Sequence, residues 1–112
     1  MGFPDKVTGD AYEQQMQTNH LSHFLLASQL MPALEKAAAA HGQARIVNHS
    51  SAARKLPAAP LKAKNLEKGE TGGFGGDAMN ARYDRYQQTK LANMVFTEAL
   101  QVCTLLHCWL YQ

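Results

Sequence analysis

The sequence has few cysteines, little net charge and no long apolar run, and each shortage excludes a class of protein. Its two cysteines, Cys103 and Cys108, are too few for the disulfide framework of a small secreted domain. With only His107 beside them, they do not match the ligand set of a zinc site. We therefore predict free thiols. The C-terminal stretch Ala99–Gln112 carries no formal charge, but at 14 residues it is too short to span a bilayer.

The net charge of +2 is too small to indicate a nucleic-acid partner. Lysines at positions 55, 62, 64 and 68 are spread through a proline-containing stretch without interleaved aromatic residues, which is typical of a solvated loop. The N-terminus has neither the basic and apolar regions of a secretion signal nor a myristoylation motif. The default expectation is therefore a soluble domain in the cytoplasm or an organelle interior. At 112 residues the chain is long enough for one domain and too short for two.

The first third of the chain is patterned as a helix. Thr8-Gly9-Asp10 followed by Glu13 fits an N-terminal cap with its reciprocal acid three residues on, which predicts a helix that begins near Ala11. Pro32 should kink or interrupt this helix, and Gly42 is a plausible C-terminal cap. An apolar stripe along it contains a polar asparagine, which is unusual; its members are Met16, Asn19, His23, Leu26 and Leu30.

The remaining chain is predicted to form one strand, one loop and a second helix. Ile46 and Val47 form a short β-branched run that is typical of a buried parallel strand. Residues 52–80 are rich in glycine and proline and indicate a mobile loop. The second helix should begin within residues 80–84 and continue beyond Leu100. Its predicted apolar face carries Leu91, Met94, Val95, Ala99 and Val102, and a neighbouring polar stripe carries Tyr86, Lys90, Asn93 and Thr97.

Tyr86 and Lys90 are separated by four positions, so they lie on one face of this second helix. An ammonium group close to a phenol favours the ionised phenol, and this is one way to make a tyrosine that exchanges protons. Ser51 follows the predicted strand, and Asn19 is the polar exception on the first helix. Taken singly, each has an ordinary structural interpretation: a surface pair, a turn, and a hydrogen bond to backbone.

Three segments in this order resemble the short-chain dehydrogenase/reductase family, in the branch similar to retinol dehydrogenases and WW-domain oxidoreductases. They read Asn-His-Leu-Ser-His-Phe at 19–24, Arg-Ile-Val-Asn-His-Ser-Ser at 45–51 and Tyr-Gln-Gln-Thr-Lys-Leu-Ala-Asn at 86–93. The resemblance covers residues 8–101 and leaves 102–112 as a divergent tail. It implies an α/β, incomplete Rossmann-like fold: a single partial domain over residues 1–112, mainly helical, with one central parallel strand.

The resemblance also implies hydride transfer between NAD or NADP and a small carbonyl or alcohol substrate. Tyr86 would be the general acid and base, and Lys90 would assist it while both contact the cofactor. Ser51 would bind the substrate oxygen, and Asn19 would hold a water in a proton relay. The histidines at 20, 23 and 49 are better interpreted as packing or pocket residues than as metal ligands, so no metal is predicted.

The same family holds the cofactor's pyrophosphate on a glycine-rich turn after its first strand, and no such strand and turn precede residue 8. Residues 71–78 match the glycine pattern superficially, but they follow a charged stretch instead of a strand. We therefore expect the cofactor site to be incomplete and the chain alone to be inactive. The alternative function is a non-catalytic module that oligomerises, with itself or with relatives, through its two long helices.

Overall fold

The computed structural model describes residues 2–56, 60–69 and 73–105, with side chains up to Cys103. A continuous helical run opens the fold and consists of α1 (Gln14–Met16), a π-helical turn (Gln17–Leu21) and α2 (Ser22–His41). Two short 3-10 turns follow, Ala52–Lys55 and Ala63–Leu66, and then α3 (Met79–Leu105). The expectation of a mainly helical chain is confirmed for this part of it.

The first helical run begins three residues later than the sequence indicated. Its N-cap is Glu13, whose carboxylate accepts a hydrogen bond from Met16 N at 2.7 Å. Thr8 is not the cap; it stands outside the helix, in a turn in which Ala11 N donates to Thr8 O. Ala11 has a φ of 67°, which no helical residue adopts. The predicted start near Ala11 is therefore wrong.

The far end of this run agrees better with the prediction. Gly42 has a φ of 82° and donates its N–H to Ala38 O at 2.8 Å, so it is the left-handed C-cap that the sequence indicated. Pro32, in contrast, does not interrupt the run, because α2 is continuous through it. Proline removes a single N–H donor from the helix, and the flanking turns remain hydrogen-bonded.

The second helix is confirmed, since α3 begins at Met79 and extends past Leu100. It also includes the first residues of the predicted divergent tail, whose last part, 106–112 with Cys108, lies outside the described residues. Cys103 is a half-buried free thiol. In the predicted mobile loop, two 3-10 turns are formed, and residues 57–59 and 70–72 lie outside the described part.

The predicted buried strand at Ile46 and Val47 is not formed. Residues 43–50 run without regular structure, and Val47 is 90% exposed. Within residues 2–56, 60–69 and 73–105 the only β-type pairing is a single bridge between Val7 and Glu13. A parallel strand needs a neighbour on each side for its backbone groups, and no second strand is available in this part of the chain.

The buried face of α3 also differs from the predicted apolar face. Val95 and Val102 of that face are 43% and 54% exposed. The side chains that α3 buries are instead mostly polar: Arg85, Gln88, Thr89, Ala92 and Asn93. Arg85, Thr89 and Asn93 pair with Glu13, Asn19 and His20 of the first helical run and its cap, whereas Gln88 bonds to residues 60 and 62. This buried part of α3 is therefore held by hydrogen bonds and an ion pair more than by apolar contact.

Candidate functional site

Tyr86 and Lys90 lie one turn apart on α3, as their spacing predicts. Both side chains are half-buried, and Lys90 Nζ is 5.7 Å from the centre of the Tyr86 ring. An ammonium group at this distance acts electrostatically on the phenol ring. The two side chains therefore lie near enough to act on one substrate together.

Asn19 lies opposite this pair, on the π-helical turn. Its Nδ2 donates to Thr89 Oγ1 at 3.1 Å, and Thr89 Oγ1 donates in turn to Tyr86 O at 2.7 Å. Thr89 is fully buried, so water does not compete for these bonds. The Asn19 carbonyl accepts from Asn93 Nδ2 at 3.0 Å and is also 3.0 Å from His23 Nδ1. Wider turns of this kind are frequent at functional sites because they free a backbone carbonyl.

Residues 49–50, which precede the first 3-10 turn, contact the same part of α3. Ser50 Oγ donates to Lys90 O at 2.8 Å, and Lys90 Nζ donates to His49 O at 3.3 Å. Ser51 caps the turn, because its Oγ accepts from Ala53 N at 3.2 Å. Within the described residues no hydrogen bond joins Ser51 to Tyr86. The structure thus brings Asn19, Tyr86 and Lys90 into one region and places Ser51 at its border.

Sequence reasoning did not identify Asn93 and His20 as site residues. Asn93 is 3% exposed, and its Nδ2 donates both to Asn19 O and to His49 O, each at 3.0 Å. Its Oδ1 is 3.0 Å from His20 Nδ1. Burial lowers the pKa of His20, against the opposing effect of this hydrogen bond. The signal was available, because Asn93 stands on the polar stripe that includes Lys90.

A buried ion pair anchors α3 one residue before Tyr86. Arg85 Nε and Glu13 Oε1 are 3.3 Å apart, and both side chains are 1% exposed. Burial raises the pKa of Glu13, although its hydrogen bonds to backbone N–H groups and the nearby Arg85 act in the opposite direction. The other guanidinium nitrogens donate to Gly76 O at 2.8 Å and to Phe3 O at 3.1 Å. One arginine therefore joins α1, the glycine turn and the N-terminal segment.

The backbone of the glycine-rich stretch binds a carboxylate of the same chain, that of Asp5. Phe74 N and Gly76 N donate to Asp5 Oδ2 at 3.0 and 2.8 Å. Gly73, Gly75 and Gly76 all have positive φ, which turns successive N–H groups toward that carboxylate. A cofactor pyrophosphate would need these same donors, so the described part of the stretch does not fit it. Its first residues, 71 and 72, lie outside the described part.

An open groove of about 600 Å³ lies away from Tyr86 and Lys90. It is formed by the C-terminal half of α2, residues 44–48 and the end of α3, with Met31, Leu34 and Leu100 among its lining residues. The described residues contain no group of three His, Cys, Asp or Glu side chains that could hold a metal ion. None of the described helices is long and apolar enough to cross a membrane.

Comparison with known proteins gives three informative matches. Retinol dehydrogenase 12 of Homo sapiens is 35% identical over 100 residues, which are 89% of this chain and 27% of that protein. Polyprenol dehydrogenase of Homo sapiens is 32% identical over 101 residues, or 90% and 28%. Short chain dehydrogenase/reductase dpchH of Colletotrichum higginsianum is 33% identical over 98 residues, or 84% and 24%.

This chain spans about a quarter of the length of the curated relatives it matches. No family model and no solved structure matches it. The relatives imply a Rossmann-like fold. The described residues form helices of such a fold, and their segment at 43–50 pairs with no strand. On the strength of these similarities, the chain belongs to the short-chain dehydrogenase/reductase family of oxidoreductases.

Proposed function

We propose that this chain carries the acid–base residues of an NAD- or NADP-dependent oxidoreductase that acts on an alcohol or carbonyl group. The observation that carries the proposal is the meeting of Asn19, Tyr86 and Lys90 around Thr89, supported by the 5.7 Å distance from Lys90 Nζ to the Tyr86 ring. The names of the similar proteins support the reaction class.

In this reaction the Tyr86 hydroxyl donates a proton to the carbonyl oxygen during reduction and accepts it during oxidation. The nicotinamide supplies or accepts the hydride when it is bound. Lys90, whose ammonium is 5.7 Å from the centre of the Tyr86 ring, would contact the cofactor's sugar. Ser51 would release its bond to Ala53 N and donate to the substrate oxygen, and Asn19 would hold the relay water.

The substrate class we propose is an isoprenoid alcohol or its aldehyde. Two of the similar proteins are named for retinol and for polyprenol, which are both alcohols of this type. Such a substrate needs an apolar channel. We propose that the apolar side chains of α2, of which Leu25 and Leu26 are more than half exposed, form part of such a channel.

A chimaera tests the proposal directly. Residues 8–101 of this chain would replace the matching segment of human retinol dehydrogenase 12, and loss of nicotinamide absorbance would be followed with retinal. We expect the chimaera to turn over, and we expect Tyr86→Phe to lower its rate by about a hundredfold or more, the usual contribution of a positioned acid or base.

The matched control is Tyr83→Phe, which removes the same hydroxyl from an exposed tyrosine of the same helix. It should leave the rate unchanged. A folded chimaera without activity, or one in which the two substitutions have the same effect, would contradict the proposal.

The chain by itself is expected to bind NADPH weakly and to show no turnover. The described part of its glycine turn already binds Asp5, so no free set of N–H donors is available there for the pyrophosphate. Fluorescence titration of NADPH with the 112-residue chain checks this. Micromolar binding that Lys90→Ala abolishes would show that the residues present suffice.

The second candidate is an interaction module without catalysis. It is supported by the apolar surface of α2, where Phe24, Leu25, Leu26 and Leu30 are between 43% and 56% exposed. Sedimentation of the purified chain separates the candidates. Stable oligomers together with an inactive chimaera would favour the interaction module.

A further inference from the structure

The side chain of Asn93 makes hydrogen bonds through both of its polar atoms where the two helical regions meet. It is 3% exposed, and its two N–H groups donate to Asn19 O and His49 O, each at 3.0 Å. Carbonyl oxygens only accept hydrogen bonds, so the amide must turn its nitrogen toward them and its oxygen toward His20. The orientation of the amide is therefore fixed by its surroundings.

His20 completes this arrangement. Asn93 Oδ1 is an acceptor, so the ring nitrogen 3.0 Å from it, His20 Nδ1, must carry a proton. The ring is 8% exposed and packs against Phe24 and Phe96, with centroid distances of 6.4 and 5.9 Å. Burial lowers its pKa and so favours the neutral ring. A neutral ring with its proton on Nδ1 holds the amide in one orientation.

Asn93 and Lys90 share an acceptor. Lys90 Nζ donates to His49 O at 3.3 Å, and this is the carbonyl that Asn93 Nδ2 also contacts. The same segment is tied to α3 a second time, by Ser50 Oγ and Lys90 O at 2.8 Å. If Asn93 lost its donors, the His49 carbonyl would lose the buried donor it has among the described residues, and the ammonium would lose a fixed partner.

We propose that Asn93 is a positioning residue of the candidate site: its amide, oriented by His20, fixes the carbonyls of Asn19 and His49 and thereby the place of the Lys90 ammonium. Asn93 touches no substrate and acts through these neighbours. The inference rests on the proposed function only in taking Lys90 as a site residue.

The first experiment uses the full chain and needs no turnover. Reductive methylation with labelled formaldehyde gives the reaction rate of each lysine amine, and the rate of Lys90 is divided by that of the exposed Lys36. We expect Asn93→Leu and Asn93→Asp each to raise this ratio by about fivefold, the factor that corresponds to one ordinary hydrogen bond.

The matched control is Asn48→Ala. It removes the exposed bond between Asn48 Nδ2 and Thr97 Oγ1, at 2.9 Å, which joins the same two segments one turn further along α3, and it leaves the bond from Thr97 Oγ1 to Asn93 O in place. If Asn93 merely held the segment to the helix, this variant would raise the Lys90 ratio as well. We expect it to leave the ratio unchanged, and an equal rise in both would overturn the proposal.

A second measurement on the unaltered chain covers the case in which the Asn93 variants fail to fold. Nuclear magnetic resonance should show the His20 ring protonated on Nδ1 and slow solvent exchange for both Nδ2 protons of Asn93. The opposite tautomer, or rapid exchange of those protons, would overturn the proposal. An inactive chimaera with the expected amine reactivity would contradict the proposed function and leave the role of Asn93 standing.

Discussion

The first helical run and α3 lie side by side, and the two ends of this pair differ in the side chains that they carry. Where α1 and the π-helical turn meet the first half of α3, the buried side chains are mainly polar, and they include Glu13, Gln15, Arg85 and Thr89. Where α2 runs beside residues 44–48 and the end of α3, apolar side chains are exposed around an open groove. No residue of α2 is buried.

The two ends therefore differ in how far their side chains depend on a further partner for stability. Most polar groups at the first end bond to one another within the described residues, although Glu13 Oε1, Gln15 Oε1 and Arg85 Nε are buried there without a hydrogen-bond partner. Apolar side chains at the second end gain stability only when something covers them, and in a Rossmann-like fold parallel strands are covered on both faces by helices. The candidate site lies at the polar end, so its geometry is set by polar contacts.

Breaking the polar end should have the largest effect on stability. Arg85→Leu leaves the Glu13 carboxylate buried without its cation and removes the donors to Gly76 O and Phe3 O. We expect a loss of about 3 to 5 kcal/mol in unfolding free energy, as is usual when one partner of a buried pair is removed. Urea unfolding followed by circular dichroism measures it.

Two further variants sharpen this expectation. Replacing Glu13 and Arg85 together by leucine removes both charges and should recover much of the loss. Arg82→Leu breaks the exposed pair with Asp77, at 3.8 Å, and should change the unfolding free energy by less than about 1 kcal/mol. Equal losses for Arg82→Leu and Arg85→Leu would show that burial is not what distinguishes them.

A smaller effect is expected from pH, and it too arises at the polar end. The pKa of His20 is lowered from 6.5, so its contribution to stability is present above pH 6.5 and is lost as the pH falls through the folded-state value. The pKa of Glu13 is raised from 4.5, so its contribution is present below pH 4.5 and is lost as the pH rises. The two contributions have opposite signs.

Single variants separate these contributions. His20→Gln keeps an amide donor for Asn93 and should remove the loss of stability on acidification below pH 6.5. Glu13→Gln should remove the loss on raising the pH above 4.5. Unfolding free energies measured across this range check both slopes, and an unchanged slope in either variant would contradict its assignment.

The sequence predicted the parts of the fold that depend on local signals. The end of α2 at Gly42 follows from the left-handed conformation of glycine, and α3 follows from a long stretch of helix-forming residues. The spacing of Tyr86 and Lys90 followed from helix periodicity alone. These features need no distant partner, so they can be derived from short stretches of chain.

Apart from the start of the first helical run, which is a local signal, the predictions that failed concern features that depend on distant contacts. The strand at Ile46 and Val47 and the apolar face of α3 both presuppose a sheet that the described residues do not form. Asn93 and the pair of Glu13 with Arg85 were missed because their partners are far away in sequence. Hydrophobic periodicity indicates which face is buried only when the covering layer is present.

The smallest effect is expected at the apolar end. Val47 is 90% exposed, so Val47→Thr removes almost no buried apolar surface and should change the unfolding free energy by less than about 0.5 kcal/mol. The matched control is Ile46→Thr, the neighbouring residue of the same run, which is half-buried and should cost more. Urea unfolding of the two variants compares them. A loss at Val47 as large as that at Ile46 would mean that something covers residue 47 in solution, and sedimentation at the same concentrations would show whether it is a second copy of the chain.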